Sequence, residues 1–201
     1  MNRRILAFAI LSTLAACDAA SDDATALREK FAAEIESSSV ALTDAIATAE
    51  AASGGVAVEA KLELEHGAFV YRVEVVADAG QRRIEISSDS GEIVRDRASS
   101  SGNADEAAAN AELATGADWA ALAAAAEAHV GGEVFELEAD DGVFEAKVMV
   151  DTTVMELELA ADGTVLKSQE DDDFSGESED ESEHESEDSD DDHHGGNDDG
   201  T

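Results

Sequence analysis

From Thr43 to Val94 the chain reads TDAIATAEAASGGVAVEAKLELEHGAFVYRVEVVADAGQRRIEISSDSGEIV. The first part has apolar residues spaced as on one face of a helix, and it ends at a glycine pair, as helices often do. Beyond that pair, apolar and charged residues alternate with a period of two, and short turns rich in Gly and Asp interrupt them. This pattern indicates a helix followed by an antiparallel β-meander with one buried face and one solvent-facing face.

A second, shorter version of this pattern begins at Asp118. It has its own glycine pair, Gly131-Gly132, where the first version has Gly54-Gly55, and an Asp-Gly turn typical of a two-residue hairpin. The sequence therefore predicts an α+β protein with two tandem units, each a helix packed on a small antiparallel β-meander. We place the first unit at residues 41–98 and the second at 118–167.

Side-chain alternation predicts which residues face the core of each unit. In the first unit we expect Thr43 to be the N-cap of the helix. The first strand is expected to direct inward Val56, Val58, Ala60, Leu62 and Leu64. The predicted core contains Leu62, Tyr71 and Val73 in the first unit and Phe135, Leu137 and Val148 in the second.

The N-terminus has the features of an export signal. Arg3 and Arg4 precede an apolar run that is too short to span a bilayer, and Leu14-Ala15-Ala16-Cys17 follows. This resembles a bacterial lipoprotein signal, which implies a signal peptide at 1–16 and acylation, including palmitate, at Cys17, the only cysteine. The mature protein would then be anchored in the cell envelope and face the periplasm. Asp18 favours the inner over the outer membrane without deciding it, and an ordinary secretory signal with a stray cysteine is the alternative.

The chain is strongly acidic, with 49 Asp and Glu against 12 Lys and Arg and a formal net charge of −37. This argues against nucleic-acid binding, because phosphates are neutralised by Lys and Arg, and against binding to a bare anionic membrane surface. Cations and basic proteins are compatible partners. General acidity of this kind is also a habit of salt-adapted organisms, so adaptation without a ligand is an alternative.

The C-terminal segment 168–201 holds 17 acidic residues, no basic residue and Phe174 as its only large apolar residue. Such a composition cannot bury enough surface to fold, so we expect a disordered acidic tail. Its histidines His184, His193 and His194 stand among carboxylates, which makes them a candidate metal site for weakly bound divalent cations. No tightly bound cofactor is expected, and a purely solvating role is the alternative. The remaining segments are a tether and N-terminal helix at 17–40 and a linker with a helix at 99–117.

The first unit resembles a PepSY domain. The resemblance rests on Leu42-Thr43-Asp44-Ala45-Ile46, the glycine break, Tyr71-Arg72-Val73-Glu74-Val75, and Ile86-Ser87-Ser88-Asp89-Ser90-Gly91-Glu92-Ile93-Val94. The second unit follows the same pattern more loosely, with Ala146 where the first has Tyr71. The resemblance implies a helix on a small antiparallel sheet, in exported or membrane-tethered proteins, with inhibition of a peptidase, or assistance to its folding, as the most specific role.

No catalytic constellation emerges from the sequence. We find no nucleophile paired with a base, no glycine-rich phosphate loop and no Cys/His zinc spacing. His129 stands at a helix end, where the dipole favours it. We therefore predict that the protein is not an enzyme.

The solvent-facing side of the second unit carries an unusual number of glutamates. They are Glu136, Glu138, Glu145, Glu156 and Glu158. Like charges directly opposite each other across strands are destabilising, so a basic protein or a divalent cation would relieve them. These residues are the candidate binding site, and a solvated face partly neutralised by Lys147 is the alternative.

Together these features predict an exported PepSY-like lipoprotein that acts as a non-enzymatic binding module in the cell envelope, with a peptidase as the candidate target. The alternative function is cation binding or metal buffering by the acidic tail and the acidic sheet face.

Overall fold

The computed structural model describes residues 19–99 and 103–171. The predicted signal peptide, Cys17, the segment 172–201 and its three histidines lie outside the described residues. Within the described part, no helix is long and apolar enough to cross a bilayer.

The described chain runs twice through the same order of elements, two helices and then four strands. The helices are α1 (Ala19–Ser37), α2 (Leu42–Ser53), α3 (Ala104–Ala114) and α4 (Trp119–Val130). The strands are β1 (Val56–Glu65), β2 (Ala68–Ala77), β3 (Gly80–Ser87), β4 (Ile93–Ala98), β5 (Glu133–Asp140), β6 (Val143–Val150), β7 (Thr153–Leu159) and β8 (Val165–Glu170). The predicted α+β class is confirmed.

These strands form a single antiparallel sheet in the order β4-β3-β2-β1-β5-β6-β7-β8. The two predicted meanders are therefore halves of one sheet, joined where β1 pairs with β5. We call this β1–β5 pairing the seam. Its register pairs are Glu59 with Glu138, Ala60 with Leu137, and Lys61 with Glu136. Because a unit of this size has only a marginal core of its own, the joined sheet gives both halves one continuous core.

The two glycine pairs end α2 and α4, and each position in the pair has its own reason to be glycine. Gly54 and Gly131 are C-caps in the left-handed region, with φ of 69° and 83°. A Cβ on Gly55 would lie 2.5 Å from the carbonyl oxygen of Val76, and Gly132 is equally crowded by the backbone of β6. The pair therefore lets the chain leave the helix and pass closely beneath the neighbouring strand.

Both first strands bulge just after the glycine pair. β1 bulges after Ala57 and β5 after Val134. In each unit a glutamate from the last turn of the helix accepts the backbone N–H of that residue, Glu50 from Ala57 at 3.1 Å and Glu127 from Val134 at 3.2 Å. The two halves thus share a specific local structure as well as an order of elements.

The bulge makes part of the predicted β1 register wrong. Ala57 is fully buried, whereas Val56 and Val58 are only half-buried, because the extra residue shifts the alternation by one. Beyond the bulge Ala60 and Leu62 are buried as predicted, whereas Leu64 is only half-buried and packs against the core.

Helices α2 and α4 cover one face of the sheet, and the core lies between them. The residues predicted to line it, Leu62, Tyr71, Val73, Phe135, Leu137 and Val148, are all buried. The predicted N-cap is wrong, because α2 begins at Leu42, one residue before Thr43, with Ala41 as an N-cap that makes no side-chain hydrogen bond. Leu42 is itself buried, and the helix begins two residues earlier than a Thr43 N-cap would place it.

Helices α1 and α3 lie at opposite ends of the strands. In α1, Arg28 donates a hydrogen bond to the carbonyl oxygen of Asp171, just beyond β8, and Phe31 packs edge-on against Phe69 of β2. This helix therefore spans both halves of the sheet. At the other end α3 contacts β1, β2 and β5 and so bridges the seam.

The last strand extends into the segment predicted to be disordered. Residues 168–170 belong to β8. Lys167 donates to Glu158 at 2.9 Å and Gln169 donates to Glu156 at 3.0 Å. That prediction is therefore wrong for these residues, because a strand edge offers pairing that composition alone does not show.

Candidate binding face of the sheet

The sheet face opposite α2 and α4, which we call the polar face, is lined by charged side chains from both halves. Its most distinctive feature is a row of glutamates at matched register positions on five adjacent strands. This acidic row consists of Glu74 (β2), Glu59 (β1), Glu138 (β5), Glu145 (β6) and Glu158 (β7). Neighbouring strands lie about 4.8 Å apart, so the carboxylates repeat at roughly that spacing.

A second row, one step along the strands, has mixed charge. This mixed row consists of Glu85, Arg72, Lys61, Glu136, Lys147 and Glu156 on β3, β2, β1, β5, β6 and β7. Its cations pair with acids of both rows, which makes most of the polar face electrically self-compensating.

The acidic row is neutralised at both of its ends and at Glu59. Glu74 pairs with Arg83 at 2.6 Å, and Glu158 pairs with Lys167 at 2.9 Å. Glu59 lies 3.3 Å from both Lys61 and Arg72.

The middle of the row is not neutralised. Within residues 19–99 and 103–171, the side-chain carboxylates of Glu138 and Glu145 take part in no ion pair and no hydrogen bond. The polar face thus lacks a paired cation at these two adjacent positions.

The electrostatic consequence is largest at Glu138. Burial, and then the charges of Glu59, Glu136, Asp140 and Glu145, raise its pKa to about 8. Burial followed by neighbouring acids also raises the pKa of Glu145. Glu138 therefore keeps its proton well into the neutral range.

The carboxylate facing Glu138 behaves in the opposite way. Burial opposes ionisation of Glu59, but Lys61 and Arg72 outweigh it and lower the pKa of Glu59. An ionised carboxylate and a protonated one thus face each other across the seam at neutral pH.

The first-unit half of the polar face also contains a buried ion pair. Glu63 lies 2.9 Å from Arg72 and 3.3 Å from Lys61, and both Glu63 and Arg72 are almost fully buried. Burial nevertheless raises the pKa of Glu63 despite these two cations. The Glu63–Arg72 ion pair is buried inside the protein and is therefore not accessible to a ligand.

A cleft of about 180 Å³ lies between α3 and the acidic row. Its floor includes Glu59, Glu74 and Glu138, and its helical wall includes Glu106 and Asn110. The cleft adds acidic and amide groups around the uncompensated middle of the row.

The glutamates predicted from the sequence do lie together on this face, but they belong to different rows. Glu138, Glu145 and Glu158 are in the acidic row. Glu136 is 3.7 Å from Lys147, as the predicted partial neutralisation requires, and Glu156 accepts from Gln169. The structure thus divides the candidate site into neutralised and uncompensated parts.

Sequence reasoning missed Glu59 and Glu74, because it assigned the site to the second unit alone. These residues join the row only through the seam, and no local pattern predicts which edges of two meanders will pair. The charge alternation of β1 and β2 could have indicated Glu59 and Glu74, but the same alternation is typical of any strand with one solvent-facing side.

The described residues contain no group of three or more His, Cys, Asp or Glu side chains arranged to hold a metal ion. His66 and His129 are both exposed, one in the turn after β1 and the other in the last turn of α4. The candidate metal residues His184, His193 and His194 are outside the described part of the chain, so their metal binding stays a prediction.

Comparison with known proteins agrees with the first-unit resemblance. A model of the PepSY family, described as "Peptidase propeptide and YPEB domain", matches residues 39–97, which run from the loop before α2 through β4. A comparison with curated proteins finds no significant match. A similar solved structure is that of a Clostridium difficile 630 protein provisionally named a lipoprotein. It is 22% identical in sequence, with a TM-score of 0.47, and the alignment covers 67% of this chain and 95% of that chain. The family match thus covers residues 39–97, which correspond to the first unit.

Proposed function

We propose that this chain is an exported lipoprotein of the cell envelope whose PepSY-like units bind a partner without chemically changing it, with a peptidase as the first candidate. The observation that carries this proposal is the PepSY match at residues 39–97, since the family description includes the propeptides of peptidases. We propose that the protein acts by binding to its partner and that it is not an enzyme.

Export and anchoring are supported by the sequence before α1. Leu14-Ala15-Ala16-Cys17 ends a short apolar segment, and α1 begins at Ala19. Two or three acyl chains on Cys17 would anchor the protein stably, because each buried CH₂ contributes about 0.8 kcal/mol. We propose a periplasm-facing position, with Asp18 favouring the inner membrane.

We further propose that the second unit, residues 118–167, is a divergent copy of the PepSY domain. The support is the repeated local structure: a helix ended by a glycine pair, a bulge in the next strand, and a helix glutamate that accepts a hydrogen bond from the bulged strand. The proposed domain boundaries are 41–98 for the first unit and 118–167 for the second.

The peptidase proposal is tested by mixing the mature chain with purified secreted peptidases of the metallo, serine and cysteine classes and following hydrolysis of a fluorogenic protein substrate. We expect saturable slowing of at least one class, with a complex detectable by gel filtration. Val73→Asp is expected to unfold the first unit. This variant therefore distinguishes inhibition by the folded unit from competition by an unfolded chain that serves as a substrate. The proposal is contradicted if the folded chain slows none of them and forms no complex.

A second candidate function is binding of a basic protein or of cations on the polar face, and the uncompensated pair Glu138 and Glu145 favours it. A cationic side chain placed between them would supply the missing counter-charge. The tail histidines would add divalent-cation binding as a separate, weaker activity that is lost as they protonate.

A labelled oligolysine of about ten residues tests this candidate. The double variant Glu138→Gln with Glu145→Gln should weaken binding at least about threefold relative to the control Glu92→Gln with Glu112→Gln, which changes the net charge equally at exposed positions. Binding should also release protons near pH 7.5, because a cation lowers the raised pKa of Glu138. Equal weakening in both double variants would mean that only net charge matters. Calcium titration in parallel tests the cation-buffering alternative.

A further inference from the structure

The seam is the weakest pairing between the central strands of the sheet. It consists of three register pairs, whereas β1 and β2 share nine and β5 and β6 share seven. Besides the loop between β4 and α3, the two halves are joined by this short pairing, by α1 and α3, and by the packing of α2 against α4 and β5. Any change in the free energy of the seam therefore acts on how firmly the halves are joined.

Two of the three seam pairs place charged side chains on the polar face, and the two pairs have opposite character. Lys61 opposite Glu136 is attractive, but Glu59 opposite Glu138 is a pair of like charges. Directly opposed side chains in an antiparallel pair have Cβ atoms about 4.5–5.5 Å apart, within reach of each other. With both carboxylates ionised, a third of the seam would be repulsive.

The surroundings of Glu138 do not supply a compensating cation. The charged or polar groups that face it are Glu59 and Lys61 of β1, Glu74 of β2, Glu136 and Asp140 of β5, Glu145 and Lys147 of β6, and Glu106 and Asn110 of α3. Lys61 is engaged by Glu59 and Glu63, and Lys147 by Glu136 and Asp171. Arg72 is likewise engaged by Glu59 and Glu63, so each of these three cations already pairs with acids other than Glu138.

We propose that the seam is a pH-sensitive joint, closed while Glu59 and Glu138 share one proton and loosened when both carboxylates are ionised. In the closed form Glu138 is neutral, so it places no second negative charge opposite the ionised carboxylate of Glu59. Loss of its proton places two like charges directly opposite each other across the seam. The strands β1 and β5 then separate more often, while the pairings inside each half are unaffected.

The direction of the response follows from the environment of the pair. The raised pKa of Glu138 places the change near pH 8, with the joint closed at lower pH. An isolated carboxyl, with a pKa near 4.3, would already be ionised at neutral pH. The crowded acids of the polar face therefore bring the transition into the neutral to mildly alkaline range.

Amide hydrogen exchange of the full chain, measured between about pH 6 and pH 9.5 and corrected for the intrinsic exchange rate, tests this proposal. Among residues 59–61 and 136–138, we expect the amides that bond across the seam to lose protection about fivefold through pH 8, relative to the amides between β2 and β3 and between β6 and β7. Glu138→Gln should abolish this additional loss of protection at the seam, because the glutamine side chain does not titrate. Glu92→Gln, at an exposed loop position, should leave it unchanged.

The proposal is overturned if the wild-type chain and Glu138→Gln lose seam protection equally, or if protection falls uniformly over all strands. Should Glu138→Gln fail to fold, Glu59→Gln removes the same repulsion from the other strand and must give the same pH-independent seam. Neither readout depends on partner binding, so the outcome stands apart from the proposed function.

Discussion

Replacing Glu138 by Gln is expected to stabilise the protein at neutral and alkaline pH. The side chain keeps its approximate size and polarity, while the group that is unfavourable to ionise in the folded state is removed. The wild-type chain holds the proton of Glu138 to about pH 8, whereas the unfolded chain releases it near 4.5. Between those values the unfolded state binds fewer protons than the folded state, so wild-type stability falls as pH rises.

The size of this effect follows from the two pKa values. A difference of about 3.5 units at 1.36 kcal/mol per unit sets an upper bound of roughly 5 kcal/mol. Glu138 is partly solvent-exposed, and screening by water reduces the bound, so we expect a gain of about 1–2 kcal/mol above pH 8. Below about pH 4.5 the carboxyl is neutral in both states and the gain should vanish.

Urea unfolding of both proteins at about pH 4.5, 6, 7.5 and 9 measures this gain. The free energy of unfolding of Glu138→Gln minus that of the wild type should grow with pH and level off above pH 8. Glu92→Gln, exposed in the loop before β4, is the matched control and should show no such trend. A difference that is independent of pH, or that shrinks as pH rises, would refute the reasoning.

Three other changes test the fold and the membrane anchoring. Gly132→Ala should destabilise the protein by at least about 2 kcal/mol, because the added Cβ would collide with the carbonyl of Met149. The control Gly142→Ala meets open space and should cost only roughly 1 kcal/mol, because of the positive φ at that position. Equal melting temperatures of the two variants would show that β5 does not pass so close to β6. Val73→Asp buries an unpaired charge in a fully enclosed position and should cost at least about 3 kcal/mol, as measured by thermal unfolding, with wild-type melting as the contradictory result. Cys17→Ala should leave an uncleaved or mis-sorted precursor, and detergent-phase partitioning equal to that of the wild type would count against lipid anchoring.

Most of the buried face was predictable because period-two alternation survives in long strands. Tyr71, Val73, Leu137 and Val148 lie where the apolar pattern places them. The pattern failed at Val56 and Val58, where a bulge inserts one residue into β1. Glu50 of the preceding helix accepts a hydrogen bond from the backbone N–H of Ala57 beside this bulge. That contact joins residues seven positions apart and leaves no signal in the alternation.

The candidate site was only half predictable for a related reason. The charged face of a single strand can be identified from the alternation in its own sequence, so Glu138, Glu145 and Glu158 were predictable. The edges at which two meanders join are decided by long-range packing and by the helices α1 and α3 that cross the strand ends. Glu59 and Glu74 therefore entered the acidic row only when the seam was known.

The central claim is that β1 and β5 join the two halves into one sheet in the register that sets Glu59 against Glu138. Paired cysteines test it directly in a Cys17→Ser background, which removes the natural thiol. Glu59→Cys with Glu138→Cys should form an intramolecular disulfide under mild oxidation, because directly opposed Cβ atoms lie within disulfide reach. Glu59→Cys with Glu145→Cys, one strand further away, should not. Cross-linking of the second pair alone, or cross-links formed only between molecules, would contradict the seam.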